Sequence, residues 1–127
     1  MANQINLQPQ VLNLALYAGD GVKLRLKFAD KAGAPIDITG SIAAQIRLSR
    51  LTPENPPIVQ FGVNMTDAYL GLVVLTLTSD QTFALMEDPS VKQGKFVGVW
   101  DVEWDASEEE PRTVCQGSVE CVADVTR

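Results

Sequence analysis

The 127-residue sequence contains no histidine, and this absence excludes several kinds of active site. The usual Ser-His-Asp and Cys-His catalytic arrangements and histidine-ligated zinc sites all require that residue. Two cysteines are too few for a structural zinc site with four protein ligands. Neither a G-x-x-x-x-G-K-[ST] nor a G-x-G-x-x-G phosphate-binding loop occurs. We therefore expect a protein with no enzymatic activity, no catalytic residues and no cofactor.

Long apolar runs are also absent, since no stretch approaches the roughly 20 residues that a membrane-spanning helix requires. The opening MANQINLQPQ has neither the basic nor the apolar region of a secretory signal. Basic residues are scarce, with 10 Lys and Arg against 16 Asp and Glu and a net charge of -6. An acidic protein is poorly suited to neutralising a phosphate backbone. We expect binding neither to membranes nor to nucleic acid.

The charges are distributed unevenly along the chain. Residues 1–50 hold six basic and three acidic residues, a net charge of +3, whereas residues 51–127 hold four basic and 13 acidic residues, a net charge of -9. Opposite charges on two regions of one surface would help copies of the protein to orient against each other or against a lattice.

Alternation of apolar and polar residues is the dominant pattern. In VKLRLKF (residues 22–28) apolar residues alternate with Lys23, Arg25 and Lys27, which predicts a half-buried strand with a cationic outer face. Similar segments are VLNLALY, IAAQIRLS, IVQFGV, LVVLTLT, KFVGVWDVEW and TVCQGSVECVADV. With turn signals between them, they predict an antiparallel, immunoglobulin-like β-sandwich of about seven to eight strands over residues 11–127. SDQTFALMED (residues 79–88) predicts one short helix with Ser79 as its N-terminal cap.

Three groups of residues are candidates for contacts with other proteins. Residues 1–10 have no net charge and no periodicity, which indicates an N-terminal arm whose contact residues would include Gln4, Ile5 and Leu7. The basic stripe Lys23, Arg25 and Lys27 is either a solvated sheet face or a dock for an acidic neighbour. Tyr17 and Tyr69 flank turns, where they either lock a corner or contact a partner.

The acidic segment VWDVEWDASEEEP (residues 99–111) raises the question of a metal or catalytic site. Even spacing places Asp101, Glu103 and Asp105 on one face of a strand, and Glu108 to Glu110 follow at a predicted hairpin tip. Calcium prefers such oxygen ligands, but the spacing matches no EF-hand-like pattern. We interpret the segment as a solvated strand face and loop, with no metal site.

Two tryptophans and two cysteines are the remaining candidates for a functional role. Trp100 and Trp104 share a face, so they are either core residues or a stacking platform for a sugar. Cys115 and Cys121 would lie about 20 Å apart along one strand, too far for a disulfide. We expect two buried thiols.

Four phrases in a fixed order carry a resemblance to a known family. They are LALYAGD (residues 14–20), GAPIDITG (residues 33–40), GVWDVEW (residues 98–104) and GSVECVADVTR (residues 117–127). Together they resemble small β-sandwich virion proteins of tailed bacteriophages. These are short accessory head or minor tail proteins, similar in pattern to the N-terminal domain of baseplate upper proteins. The sequence departs from that pattern in its TPENPP connection and its long acidic hairpin tip.

The resemblance implies a non-enzymatic structural protein, in first place a capsid decoration protein bound to the shell lattice. Its partners would be other virion proteins, either major capsid or tail and baseplate proteins, and it would itself be a homo-oligomer or lattice-bound. A minor tail or baseplate component and a carbohydrate-binding adhesion module are the alternatives. Virions of this kind assemble in the bacterial cytoplasm, which agrees with two unpaired thiols.

Overall fold

A computed structural model describes residues 10–48, 57–106 and 110–123 of the chain. These residues form nine β-strands, one α-helix and a short 3-10 helix, Ala68–Leu70. In chain order the strands are β1 (Gln10–Val11), β2 (Leu14–Tyr17), β3 (Val22–Lys27), β4 (Ser41–Arg47), β5 (Val59–Gln60), β6 (Gly62–Asn64), β7 (Leu72–Leu77), β8 (Lys95–Asp105) and β9 (Arg112–Val122). The helix α1 spans Ser79–Leu85.

The strands form two sheets, and the predicted all-β sandwich is confirmed. The larger sheet has the order β1-β9-β8-β4-β5, with β2 also paired to β9, and the smaller sheet has the order β3-β7-β6. Two aromatic pairs lie in the core: Phe61 with Trp100, tilted, at 5.6 Å, and Phe28, which follows β3, edge-on to Trp104 at 6.1 Å between ring centroids. Contacts of this geometry add to the stabilisation that burial of the rings provides.

Alternation along each strand determines which side chains enter the core. In β8 the even-numbered positions from Phe96 to Trp104 are all buried, as the sequence predicted, and the odd-numbered positions are wholly or partly exposed. In β7 the pattern is shifted by one residue, so that Val73, Leu75 and Leu77 are buried. The period of two therefore assigns each strand an inner and an outer face.

The predicted antiparallel pairing is wrong at one edge of the larger sheet. The segment VLNLALY was expected to be one strand, but it forms β1 and β2, which both pair in parallel with β9. The same register continues across the interruption, since Val11 lies opposite Gln116 and Leu14 lies opposite Val119. The interruption is therefore a local departure from the ladder between two parts of one edge.

The cause of the interruption is a buried indole. In a regular parallel ladder the carbonyl of Leu12 would accept the N–H of Ser118. Instead it accepts the Trp100 Nε1–H at 2.7 Å, and the Asn13 Oδ1 accepts the Ser118 N–H at 3.0 Å. Gly117 makes this possible, because a Cβ at that position would lie 2.0 Å from the Leu12 carbonyl oxygen. The buried Trp100 N–H thus gains an acceptor, and the Ser118 N–H that loses the Leu12 carbonyl finds another acceptor in Asn13.

Two further expectations about local structure need correction. The segment IVQFGV is not one strand, because β5 pairs with β4 in the larger sheet and β6 pairs with β7 in the smaller one. Helix α1 is present as predicted, but Thr78 rather than Ser79 caps its N-terminus. The Thr78 hydroxyl accepts the Gln81 N–H, and the Gln81 side chain accepts the Thr78 N–H. This reciprocal pair is a capping box, which satisfies two free N–H groups at once.

The first testable prediction concerns Gly117. Replacement by alanine should lower the free energy of unfolding by about 3 kcal/mol, because the new methyl group would collide with the Leu12 carbonyl and displace it from Trp100. Urea denaturation measures the loss. Gly21→Ala is the matched control, since its added Cβ would meet nothing closer than the Leu77 carbonyl at 3.7 Å. Equal unfolding midpoints for the two variants would contradict the role assigned to Gly117.

Candidate interaction surfaces

Lys23, Arg25 and Lys27 project from the outer face of β3, where all three are exposed. We call this set the cationic column. Across the ladder they lie opposite Thr76, Val74 and Leu72 of β7, so no carboxylate stands beside them in the neighbouring strand. An ion pair lies elsewhere, in the larger sheet, between Lys95 and Glu120 at 3.4 Å. The column therefore presents three positive charges at the margin of the smaller sheet.

Asp101, Glu103 and Asp105 lie on the outer face of β8 and form what we call the acidic column. The prediction that they share a face is confirmed. Their neighbours in β4 are Gln45, Ala43 and Ser41, none of which is charged. Glu110 is exposed, whereas residues 107–109 of the predicted hairpin tip lie outside the described residues.

The two columns point in opposite directions. The cationic column belongs to the smaller sheet and the acidic column to the larger sheet, and the inner faces of the two sheets enclose a common core. Their outer faces must therefore be turned away from each other. The charge asymmetry of the sequence becomes an asymmetry between the two faces of the sandwich.

The cationic column also lies on a free edge. Strand β3 is the outermost strand of the smaller sheet, and no described strand pairs with its second side. The next residue after β3, Phe28, donates its N–H to the Gly71 carbonyl on the β7 side. Because neighbouring residues of a strand direct their backbone groups to opposite sides, Val22, Leu24 and Leu26 bond to β7. The N–H and C=O groups of the cationic column therefore point away from the sheet.

A cavity of about 230 Å³ lies beside this edge, between the two sheets. Gln10 of β1 and the column residues Arg25 and Lys27 form part of its rim, and its remaining lining is mostly apolar: Leu26, Phe28, Ala29, Ile36, Val114 and Cys115. A β-bulge places two successive β9 residues in this lining, since Val102 lies opposite Cys115 and Glu103 opposite Thr113, which leaves Val114 as the extra residue.

The two candidate tyrosines are exposed but lie apart. Tyr17 is 53% exposed at the end of β2, and Tyr69 is 65% exposed in the 3-10 helix that precedes β7. The turn after Tyr17 contacts helix α1, which follows the opposite end of β7, because Gly19 donates its N–H to the Thr82 hydroxyl at 3.0 Å. The tyrosines thus lie at opposite ends of the sandwich and do not form one surface. Gln4, Ile5 and Leu7 lie outside the described residues.

Besides the two tyrosines, several large apolar side chains of the described residues are exposed, Val11 the most at 70%, and none of these was among the predicted contact residues. Leu70 is 53% exposed beside Tyr69, Phe83 is 57% exposed on helix α1, and Val97 is 57% exposed on the outer face of β8. Of the three large apolar residues Phe83, Leu85 and Met86, only Leu85 is fully buried. The buried face of helix α1 contains Thr82 and Leu85. Phe83 follows Thr82 directly, so it projects about 100° away from Thr82 around the helix axis, at the side of that face.

The tryptophans are core residues rather than a sugar platform. Trp100 is 1% exposed and Trp104 is 8% exposed. Both indole N–H groups are satisfied internally, the second by the Thr39 carbonyl at 2.7 Å. Buried rings cannot stack on a ligand, so the adhesion hypothesis based on these two residues loses its binding surface.

The two cysteines are free and buried, as predicted. Burial raises the pKa of the Cys115 thiol, which a backbone hydrogen bond from Gln116 partly opposes. Burial alone raises the pKa of the Cys121 thiol. A raised thiol pKa disfavours the thiolate, which is the nucleophilic and metal-binding form.

The described residues contain neither a cluster of candidate metal ligands nor a helix that could span a membrane. No group of three or more metal-ligating Cys, Asp or Glu side chains lies together in the described residues. Neither helix in the described ranges is long and apolar enough to cross a bilayer. No protein-family model matches the chain, and no curated protein matches it.

The second prediction follows from the thiol pKa values. The folded protein holds the two thiol protons to a higher pH than the unfolded chain does, so the free energy of unfolding should fall as pH rises above about 9. Urea unfolding between pH 7 and 11 measures the slope. The Cys115→Ala/Cys121→Ala variant should show a shallower decline, whatever its stability at neutral pH. An unchanged slope would contradict the raised pKa values.

Proposed function

We propose that this chain is a non-enzymatic structural protein of a tailed bacteriophage virion, most specifically a decoration protein that binds the capsid shell through protein–protein contacts. The observation that carries the proposal is the pair of oppositely charged outer faces on a rigid two-sheet core. The protein would then add interface area between shell subunits. It would stabilise the assembled shell because it binds the assembled shell and not the separate subunits.

Opposite charges on opposite faces suit a component of a repeated array. Such a module meets its neighbours through two different surfaces, and contacts of this heterologous kind repeat to form rings or extended arrays. Charge complementarity accelerates the encounter and selects one orientation over others. The proposal therefore assigns orientation on the shell to the cationic column and leaves the acidic column facing away from it.

The core provides the rigidity that this role needs. Both indoles of β8 donate hydrogen bonds to backbone carbonyls of other segments, Leu12 before β2 and Thr39 before β4, and so fix those segments against the larger sheet. The phage assignment itself is supported by the order of the four phrases in the sequence. Two of these phrases carry backbone features of the fold: GAPIDITG holds Gly33 and Gly40, both at positive φ, and GSVECVADVTR begins with the Gly117 that admits the Leu12 carbonyl.

The third prediction concerns abundance and position in the particle. Quantitative mass spectrometry of purified virions that encode this chain should find it at a fixed molar ratio to the major capsid protein. Cryo-electron microscopy with a labelled copy should place it on the head. A label on the tail or baseplate would instead favour the minor tail alternative. Absence from particles that are otherwise complete would overturn the structural role.

The fourth prediction tests the cationic column. The Lys23→Glu/Arg25→Glu variant should reduce occupancy on particles most strongly at low ionic strength, because salt screens exposed charges at distances near 10 Å. Occupancy is measured by gel densitometry of pelleted particles across a salt series. The control is Lys31→Glu/Lys92→Glu, which changes the net charge equally, from -6 to -10, at two exposed positions outside the column. Equal losses for both variants would show that only net charge matters.

A further inference from the structure

The free edge of β3 offers more than positive charge. The residues of the cationic column have their backbone N–H and C=O groups directed outward, as the alternation from Phe28 requires. Their side chains occupy the outer face of the same strand. An edge of this kind is a template on which an extended segment can form further ladder hydrogen bonds.

The inner face of the same strand is incompletely covered. Val22, Leu24, Leu26 and Phe28 are only partly buried, whereas their counterparts in β7 are buried, with Val73 and Leu75 at 0% exposure. The cavity of about 230 Å³ opens beside Leu26 and Phe28. Its apolar lining suits the side chain of a strand placed next to β3, because alternate residues of that strand would point toward the core.

We propose that the β3 edge binds an extended segment of a partner protein in which acidic and apolar residues alternate. The segment adds a fourth strand to the smaller sheet. Its acidic side chains lie across from Lys23, Arg25 and Lys27, and an apolar side chain enters the cavity. The six residues of β3 span about 20 Å, which sets the length of the segment.

A second copy of β3 is a poor occupant of this edge. Pairing of two β3 strands would bring Lys and Arg side chains of one copy beside those of the other, and like charges across a ladder are destabilising. Other described strands with alternating acids do not supply the partner, since β8 is paired on both sides within its own sheet. Charge complementarity therefore points to a different protein with an acidic strand.

Strand addition at β3 would be the way in which the proposed structural protein binds its partner, so this inference rests on the proposed function. Its test uses purified components, and its outcome therefore does not depend on where the protein lies in a virion. The probe is a synthetic peptide of about eight residues in which Asp or Glu alternates with Val or Ile. Its control has the same composition with the acids contiguous. Calorimetry on the full-length protein should give an affinity at least about tenfold higher for the alternating peptide.

Amide hydrogen exchange by NMR distinguishes strand addition from charge attraction. The amides of Lys23, Arg25 and Lys27 should exchange rapidly in the free protein and become protected in the complex. Those of Leu24 and Leu26 should be protected in both states. Amides of the column that are already protected without peptide would mean that the chain itself covers this edge, and would overturn the proposal, as would binding without any gain in protection.

Variants separate the backbone contribution from the charge. Arg25→Pro removes an outward N–H and leaves the ladder to β7 intact, so it should weaken binding by about tenfold. Arg25→Thr removes only the charge and should weaken binding less. A peptide N-methylated at one acidic position makes the same test without changing the protein, and it should also bind about tenfold more weakly. Unaltered affinity for the methylated peptide would refute strand addition.

Discussion

The hydrogen bond from the Trp100 indole to the Leu12 carbonyl is the constraint on which much of the structure depends. The indole N–H is buried, and leaving it without a partner would cost roughly 1–3 kcal/mol. Its acceptor is 88 residues away in sequence and must leave the β-ladder to reach it. That departure requires the missing side chain of Gly117 and the replacement acceptor in Asn13. Four residues, from strands β8 and β9 and the link between β1 and β2, thus form one interdependent unit.

The consequences of this unit reach the candidate interaction surface. Because β1 and β2 are fixed to β9 in the larger sheet, the chain leaves β2 and enters the smaller sheet at β3, where β7 is its ladder partner. Gln10 of β1 then lines the same cavity as Arg25 and Lys27 of β3. The β9 bulge adds two successive buried residues, Val114 and Cys115, to the lining of this cavity. The cavity beside the β3 edge is thus lined by residues of both sheets, and the N-terminal strand contributes one of them.

The sequence predicts this fold well where a single strand contains the signal. The alternation in β3 and β8 identifies both the strands and their exposed charges. The capping box of α1 was also readable, since Thr78 with Gln81 has the required spacing and Ser79 with Thr82 lacks the glutamine or glutamate. In contrast, the alternation continues without a break from the buried Val59 through Phe61, so nothing local shows that the chain changes sheets between Gln60 and Gly62.

The features that matter most for the candidate site depend on pairing over long distances. Parallel pairing with β9 and the detour at Leu12 involve residues about 100 positions apart, and local periodicity carries no information about such partners. The direction of the backbone groups of β3 likewise follows only from its register against β7. The sequence could identify the cationic column as a set of charges, but not as the margin of a sheet with unpaired donors and acceptors beside an apolar cavity.

Charge and backbone have different roles at the β3 edge, and their magnitudes indicate which is decisive. An exposed ion pair contributes about 0.2–1 kcal/mol and weakens with salt. Each backbone hydrogen bond contributes about 0.5–1.5 kcal/mol, and each residue of the column offers both a donor and an acceptor. The hydrogen bonds and the apolar side chain in the cavity would therefore supply most of the affinity, and the three cations would select the register. The same cations oppose pairing between the β3 strands of two copies of the protein, because lysine and arginine side chains of the two copies would repel each other. One strand can thus reject a second copy of itself and still accept an acidic strand.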